Sequence, residues 1–329
     1  MPVPDPSHDR RAFLLRVLRL GGASAATLGF GGYLAGRSRR PQEGPARQVD
    51  IDHRVAARLD LPELVVAQGE HAGPAALVRR AIEEMGGMAR FVARGETVVI
   101  KPNVAWDRLP EQAATTNPDV VAELVRLCRA VGAGSVIVTD VSCNEAAACF
   151  DRSGIGQAAK AAGAEVVLPE LRLFAEVDIQ VATLRGWPVL EPFLEADKLI
   201  NVPIAKHHGL TGVTLGLKNW YGMIGGDRGR LHQRIHESIC DLAAFAKPTL
   251  TVLDAYRVLV RGGPTGGSLD DVELKGTVVA GTDGVAIDAY AAKAWWDLDL
   301  PRLRFLRLAA ERGIGRADFA ALRTRVVAA

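Results

Sequence analysis

One segment of the sequence, residues 197–241, concentrates side chains that could do chemistry. It holds lysines, arginines and four of the chain's seven histidines, separated by glycines that allow the backbone to approach a ligand closely. Histidine transfers protons or binds metals near neutral pH, and lysine binds anions or acts as a base when its pKa is lowered. This density of titratable side chains exceeds what packing requires, so we interpret the segment as the centre of a functional site.

The first half of this segment predicts a strand followed by cationic side chains. Residues 198–204 are mostly apolar or β-branched, as in a buried strand, and Lys206, His207 and His208 follow them. Open α/β sheets bind ligands at the carboxyl ends of their strands, so these three are candidate site residues. Adjacent residues of an extended strand face opposite sides, and we therefore expect at most one of the two histidines to face a ligand.

The second half continues through a glycine-rich loop into a helix. The loop carries Lys218 and Asn219, and Arg228 follows it. His232 and His236 are four residues apart, which places both on one face of a helix and makes them a candidate metal pair. The glutamate of the zinc-protease motif is missing from this H-Q-R-I-H sequence.

Several stretches together resemble a known protein family. They read K-H-H-G-L-T-G-V-T-L-G-L-K-N-W-Y-G at 206–222, V-V-I-K-P-N at 98–103, D-A-Y-R at 254–257 and G-G-P-T-G-G at 262–267. These motifs resemble the core signature of the domain-of-unknown-function family 362, and the likeness extends over residues 64–296. The resemblance implies an α/β fold and implies no particular reaction.

Short strand and helix patterns alternate after residue 62, which is typical of parallel βαβ units. We predict an α/β fold with a mainly parallel sheet flanked by helices and arranged as two closely packed lobes. Lys101, Asn103, Asp140 and Lys206 each follow a predicted strand, so they should converge at one edge of the sheet. Residues 176–190 alternate around a Gly-Trp-Pro turn, which predicts an antiparallel hairpin insertion.

The N-terminus has the pattern of a targeting segment. Residues 9–15 read D-R-R-A-F-L-L and resemble the twin-arginine export motif, and residues 20–36 follow without a charge. We interpret residues 1–40 as a twin-arginine signal that exports the protein to the periplasm, or as a retained membrane anchor. Residues 41–61 are polar with two prolines and predict a linker, so the folded domain should span residues 62–329.

The charge of the chain gives no reason to expect nucleic acid as a partner. The net charge of +2 arises in the N-terminal segment, because residues 1–40 carry seven arginines and two aspartates. The remaining residues carry 33 basic and 36 acidic side chains. A basic face would be expected of a nucleic-acid-binding protein.

The four cysteines exclude one type of iron–sulfur module. No C-x-x-C pair is present, so the chain lacks the ferredoxin-type pattern that some relatives in the family carry. Cys143 and Cys149 are close enough in sequence to form a disulfide in an oxidising periplasm, or to bind a metal or cluster. The cofactor stays open between a metal, a cluster and none.

The sequence offers one constellation of polar side chains for a ligand. The side chains predicted to bind it are Lys101, Asn103, Lys206, Asn219, Arg228, Asp254 and Asp288. Lysines that share a cleft repel one another unless an anion relieves them, so we expect a small carboxylate or phosphate. A buried Asp288 without a partner would be costly, and we expect it to face solvent or to pair with a lysine.

Three functions fit this constellation. In the first, an exported enzyme, His207 or His208 abstracts a proton beside a carboxylate and Lys218 stabilises the enolate, with or without a metal or organometallic cofactor. Its general plan is similar to that of the nickel-pincer lactate racemases, although no stretch matches them closely enough to assign residues. The second is a redox or iron–sulfur accessory protein, and the third is a non-catalytic periplasmic binding protein.

Overall fold

The described part of the chain is built around one large β-sheet. The computed structural model describes residues 46–49, 51–179 and 186–329, so the signal or anchor expected at residues 1–40 lies outside it. The strands are β1 Arg47–Gln48, β2 Leu64–Gln68, β3 Thr97–Pro102, β4 Ser135–Val138, β5 Glu165–Val166, β6 Phe174–Asp178, β7 Trp187–Leu190, β8 Lys198–Val202, β9 Ile204–His208, β10 Gly212–Thr214, β11 Leu250–Leu259, β12 Val272–Gly281 and β13 Thr324–Ala328. The α-helices are α1 Pro74–Glu84, α2 Pro118–Ala130, α3 Ala146–Arg152, α4 Ile155–Ala161, α5 Pro192–Glu195, α6 Gly216–Asn219, α7 Ile235–Ala246, α8 Gly284–Trp296 and α9 Arg304–Glu311.

Most neighbouring strands of the large sheet are parallel, as predicted. Its strands lie in the order β13-β2-β12-β11-β8-β3-β4-β5, and β9 and β10 extend it beside β11. The strands from β11 to β5 are parallel to one another, and β13 is parallel to β2. Strand β12 is antiparallel to both of its neighbours, and β10 is antiparallel to β9.

The two faces of this sheet carry separate hydrophobic cores. Val98 and Ile100 belong to one core and Val99 to the other, because successive side chains of a strand point to opposite faces. Helices α1 to α4 cover the first face, whereas α7, α8 and α9 cover the second. Residues Ala46–Ala329 form one compact unit, in which the large sheet carries a core on each face.

The predicted antiparallel hairpin is present as part of a small second sheet, but Trp187 and Pro188, expected in its turn, belong to strand β7. Strands β6 and β7 pair antiparallel, with Phe174 opposite Leu190, and β1 runs parallel to β6. The residues that connect β6 to β7, 180–185, lie outside the described part of the chain. A bridge between Val189 and Ile224 joins the hairpin to the segment after α6, so the insertion packs beside the elements that carry the site.

Part of the expected linker belongs to the folded unit. Ile51 and His53 are buried, the His53 N–H donates to the Lys247 carbonyl at 3.1 Å, and the Thr249 hydroxyl donates to the His53 carbonyl at 2.8 Å. The domain therefore begins before residue 62, which corrects the boundary expected from composition. Within the described ranges, none of the helices combines the length and apolar character needed to cross a bilayer.

Candidate functional site

A cavity of about 620 Å³ lies beyond the carboxyl ends of β3 and β4. Strand β9, helix α6, the loop after β3 and the 3₁₀ segment Arg228–Arg234 supply its walls. Its titratable lining side chains are Asp140, Cys143, Lys206, His208, Lys218, Tyr221, Arg228 and His232. Small-molecule sites have volumes of roughly 300–1,000 Å³, so this cavity can hold a small organic ligand.

Lys101 and Asp140 form a buried ion pair at the base of the site. The Lys101 ammonium lies 2.6 Å from Asp140 Oδ1 and also donates to the Pro102 carbonyl at 3.0 Å. The second carboxylate oxygen accepts the Val104 N–H at 2.7 Å. Burial lowers the pKa of Lys101, and the attached carboxylate opposes that change. Lys101 does not line the cavity, so its place is behind Asp140 and away from a ligand.

Lys206 is almost completely buried, yet its side chain lines the cavity. Its Nζ donates to Asn103 Oδ1 at 3.0 Å and to the Ala114 carbonyl at 2.5 Å. Burial, followed by the charge on nearby Lys218, lowers the pKa of Lys206 to about 7. A substantial part of this amine is therefore neutral at physiological pH.

A row of asparagines links Lys206 to helix α6. Asn103 donates to Asn219 Oδ1 at 3.0 Å, Asn219 donates to Asn201 Oδ1 at 2.9 Å, and Asn201 donates to the Gly216 carbonyl at 3.0 Å. Buried polar side chains that are fully paired make a core rigid and specific. The row fixes α6, and hence Lys218, relative to the ends of β3 and β9.

Asp254 and Asp288 accept hydrogen bonds from backbone N–H groups. Asp288 accepts the N–H groups of Gly216 and Leu217 at 2.7 and 2.9 Å, at the first turn of α6, and Asp254 accepts the Asn117 N–H at 2.7 Å. Burial raises the pKa of Asp254 to about 6 and that of Asp288 to about 7, against the opposing effect of these hydrogen bonds. Neither lines the cavity, which differs from the ligand-binding role and the lysine pair expected from the sequence.

Lys218 is the cation that α6 presents to the cavity. It is half-buried, and its Nζ lies 5.1 Å from the centre of the Tyr221 ring, a contact that favours the charged form. Burial lowers its pKa to about 8, and the neighbouring charge of Arg228 acts in the same direction. Among the described residues, no carboxylate forms a salt bridge with Lys206, Lys218 or Arg228.

Arg228 is held in place by backbone carbonyls. Its guanidinium donates to the carbonyls of Val141 at 2.7 Å, Ser142 at 2.6 Å and Tyr221 at 3.3 Å, and Cys143 Sγ lies 4.0 Å away. Carbonyl acceptors orient the guanidinium without neutralising it. Arg228 therefore adds a fixed positive charge to the wall that carries Cys143.

His208 lines the cavity and His207 does not, which agrees with the expected alternation along β9. The Leu210 N–H donates to His208 Nδ1 at 3.1 Å, so the neutral ring carries its proton on Nε2. Burial, and then the charges on Lys218 and Lys206, lower the pKa of His208 to about 3. His207 instead has a buried Nδ1 that finds no hydrogen-bond partner among residues 46–49, 51–179 and 186–329.

The predicted metal ligands do not come together. His232 lies in the 3₁₀ segment and donates from Nδ1 to the Arg228 carbonyl at 3.1 Å, whereas His236 lies in α7 and away from the cavity. All four cysteines are free thiols; Cys149 is buried in the core and Cys143 is exposed at the cavity, so they form no disulfide. In the described ranges, no three His, Cys, Asp or Glu side chains are arranged to hold a metal.

The glycine-rich loop at residues 261–267 forms one side of the cavity. Gly263 and Pro264 line it, and a Cβ at Gly263 would lie 2.0 Å from the His207 carbonyl oxygen. Arg108 and Gln112 donate to carbonyls of this loop at 3.1 Å each, and thereby tie it to the segment after β3. The loop is therefore an ordered wall of the cavity. The sequence alone did not decide between this role and a flexible connection between strands.

Sequence reasoning missed the apolar part of the wall. Trp106 and Leu210 line the cavity, as does the buried Thr214, whose hydroxyl has no hydrogen-bond partner among the described residues. Thr214 lies opposite Lys206 in the β9–β10 pair, and its place in the T-G-V-T motif was the only signal for it. Trp106 follows β3 in an irregular loop, where no periodicity indicates which way a side chain points.

Together, these features define an α/β protein with a cavity at the carboxyl ends of its strands, lined by lysine and arginine side chains. The sequence model of the family described as domain of unknown function (DUF362) matches residues 98–293, more than half of the 329 residues. The chain belongs to this family.

Three individual proteins resemble the chain. The thylakoid-associated protein sll1697 of Synechocystis is 27% identical over 246 residues, which are 68% of this chain and 71% of the relative. The lactate racemase apoprotein of Thermoanaerobacterium thermosaccharolyticum gives a TM-score of 0.41 at 14% identity over 72% of this chain, and a Thermotoga maritima protein gives 0.39 at 12% over 74%. This chain covers 57% and 60% of those two structures, less than two thirds of each.

Proposed function

We propose that the cavity binds a small organic anion, a carboxylate or a phosphate, through Lys218 and Arg228. The observation that carries the proposal is that these cations and Lys206 surround one cavity without a carboxylate partner in the described part of the chain. The carboxylate that does line it, Asp140, is neutralised by Lys101. Like charges gathered in a low-dielectric site are unfavourable until an anion enters.

The rest of the wall suits an anion with an apolar body. Trp106, Leu210 and Tyr221 contribute apolar surface, and His208 can donate a hydrogen bond from Nε2 to an oxygen of the ligand. A neutral imidazole that donates in this way polarises a carbonyl and does not abstract a proton. We therefore propose hydrogen-bond donation by His208 in place of the proton abstraction expected from the sequence.

The other two functions differ from this one in what they require. A redox or iron–sulfur role needs clustered thiolates, and the described cysteines are dispersed. A non-catalytic binding protein needs the same cationic cavity, so it is separated from an enzyme by whether a bound anion is recovered unchanged. We place anion binding first, because an enzyme and a non-catalytic binding protein would both require it.

Cys143 allows the charge of the cavity to be tested before the natural ligand is known. It is the exposed cysteine of the four, and it lies beside Arg228. Iodoacetate and iodoacetamide react with the same thiolate and differ mainly in charge. We expect the ratio of their rates at Cys143 to be about fivefold higher in the folded protein than in the same protein in urea, and to collapse in about 0.5 M salt. Equal ratios in both states would contradict a cationic cavity.

Lys218→Met is expected to remove most of this preference for iodoacetate. Methionine keeps the length and apolar stem of lysine and deletes the charge, so the rate ratio should fall about two- to fivefold, while the iodoacetamide rate stays close to that of the native protein. The matched control is Lys160→Met, which removes an exposed lysine of α4. The rates are measured by mass spectrometry of the Cys143 peptide.

Anion binding should weaken at alkaline pH. The bound anion favours the ammonium form of Lys218, whose pKa in the unliganded protein is about 8. Below that pH the affinity should be nearly constant, and above it the affinity should fall by up to about tenfold per pH unit as the proton is lost. Protection of Cys143 by phenyllactate between pH 6.5 and 9.5 measures this, and Lys218→Met should flatten the profile.

We also propose that the chain is exported by the twin-arginine route and acts in the periplasm, free or membrane-anchored. The proposal is supported by Arg10 and Arg11 in D-R-R-A-F-L-L. Replacing both arginines with lysine should retain the protein in the cytoplasmic fraction. If the variant were still found in the periplasmic or membrane fraction, export by the twin-arginine route would be refuted. That result would not bear on the anion site.

A further inference from the structure

We propose that Lys206 is a catalytic nucleophile that forms a Schiff base with a 2-oxo acid, whose carboxylate is held by Lys218 and Arg228. The inference rests on the proposed anion site and names the substrate class for it. Lys206 and Lys218 are both amines of one cavity, but the two have different surroundings, and that difference assigns them different tasks.

The hydrogen bonds of Lys206 suit a neutral amine. A neutral amine has two N–H donors and one lone pair, and the two acceptors at Nζ, Asn103 Oδ1 and the Ala114 carbonyl, occupy the two donors. Both acceptors are uncharged, and no carboxylate of the described residues forms a salt bridge with this nitrogen. The lone pair is then the remaining position on the nitrogen, and Lys206 belongs to the cavity wall.

The surroundings of Lys218 favour the charged amine instead. The face of the Tyr221 ring lies 5.1 Å from its Nζ, and no hydrogen-bond acceptor among the described residues engages it. Lys218 is therefore the anion-binding cation, and its charge also keeps the adjacent Lys206 neutral, consistent with the lowered pKa of Lys206. A neighbouring cation and a dry pocket are the two features that activate lysine nucleophiles in proteins.

The reaction balances without a further reagent. The Lys206 nitrogen attacks the carbonyl carbon of the 2-oxo acid, while His208 Nε2–H donates to the carbonyl oxygen. The new C–N bond becomes an imine when the carbonyl oxygen leaves as water together with the two amine hydrogens. The apolar wall formed by Trp106, Leu210 and Tyr221 favours a 2-oxo acid with an apolar side chain.

Reductive trapping with phenylpyruvate tests the proposal. The full chain is incubated at pH 7 with phenylpyruvate and cyanoborohydride, and peptide mapping locates the reduced adduct. We expect one adduct per chain on Lys206, formed at least about tenfold faster than on exposed Lys160, because an ordinary lysine with a pKa near 10.4 has only about one neutral amine in 2,500 at this pH. Labelling that is slower at Lys206 than at Lys160, or that falls on Lys218, would overturn the assignment.

Variants and a binding control separate this inference from the anion site. Lys206→Met should lose the adduct, and Lys218→Met should keep it on Lys206 but require about tenfold more phenylpyruvate. The adduct map of the native chain decides the question if Lys206→Met does not fold. Phenyllactate has a hydroxyl group in place of the 2-oxo group, so it should protect Cys143 from iodoacetamide without forming an adduct. Protection by both acids with no adduct would refute the Schiff base and support the anion site; no protection and no adduct would refute both.

Discussion

Replacing Gly222 with alanine is expected to destabilise the protein by about 3–5 kcal/mol, the cost of disrupting a buried ion pair. A Cβ at this position would lie 1.8 Å from Asp140 Oδ1 and 2.7 Å from Lys101 Nζ. The backbone cannot easily retreat, because the Gly222 carbonyl accepts the Val141 N–H at 2.8 Å. The carboxylate or the ammonium must therefore move, and each is buried with no other salt-bridge partner in the described part of the chain.

Chemical denaturation at pH 7 measures this effect. Gly284→Ala is the matched control, since Gly284 begins a helix and its added Cβ would meet neighbours at 3.7 Å or more. It should change the free energy of unfolding by less than about 0.5 kcal/mol. If Gly222→Ala were as mild as this control, the close contact over the ion pair would have no energetic role.

Replacing Asp288 with alanine is expected to cost about 2–5 kcal/mol at pH 5, because two buried N–H groups lose their acceptor. These groups, on Gly216 and Leu217, belong to the first turn of α6. The loss should also reach the site, since α6 carries Lys218 and Asn219. We therefore expect weaker protection of Cys143 by phenyllactate in the same variant.

The penalty at Asp288 should shrink as the pH rises. Its pKa in the folded protein, about 7, lies above the ordinary value of 3.8, so between these pH values the native state binds more protons than the unfolded chain. The contribution of the carboxyl group is complete below about pH 4 and is lost as the pH rises through 7. Denaturation curves at pH 5 and pH 8 should therefore give a larger difference between native protein and variant at pH 5.

Two further variants complete this test. Asp288→Asn keeps one acceptor and should fall between alanine and the native residue. Asp270→Ala removes an exposed carboxylate from the loop before β12 and should be nearly neutral. A penalty for Asp288→Ala that grew between pH 5 and pH 8 would show that the carboxyl is bound as an ordinary ionised acid.

The variants at Gly222 and Asp288 both disturb carboxylates that hold the walls of the cavity in place. Asp140 is balanced by Lys101 behind it, and Asp288 caps the helix that carries Lys218. Among the described residues, no carboxylate forms a salt bridge with the lysines and the arginine that line the cavity. The anion of the proposed function would supply the missing negative charge.

Local pattern was sufficient for much of the fold and for part of the site. Runs of valine and isoleucine identified strands buried on both faces, and a period of two along β9 separated His207 from His208. The parallel arrangement also placed Lys101 beside Asp140, since β3 and β4 are neighbours and their carboxyl ends meet. These features depend on the order of residues over a few positions, which can be seen directly in the sequence.

Tertiary structure alone decided the roles within the site. Whether a buried carboxylate binds a lysine, a ligand or a backbone N–H depends on partners far away in sequence, as with Asp288 and Gly216, which are 72 residues apart. The 3₁₀ segment ends at Arg234, so His232 and His236 lie in different helical elements, and Cys149 is buried in the core while Cys143 is exposed. The sequence shows which residue types are present. Burial and distance determine the pKa and the partner of each side chain, and both are defined only in the folded chain.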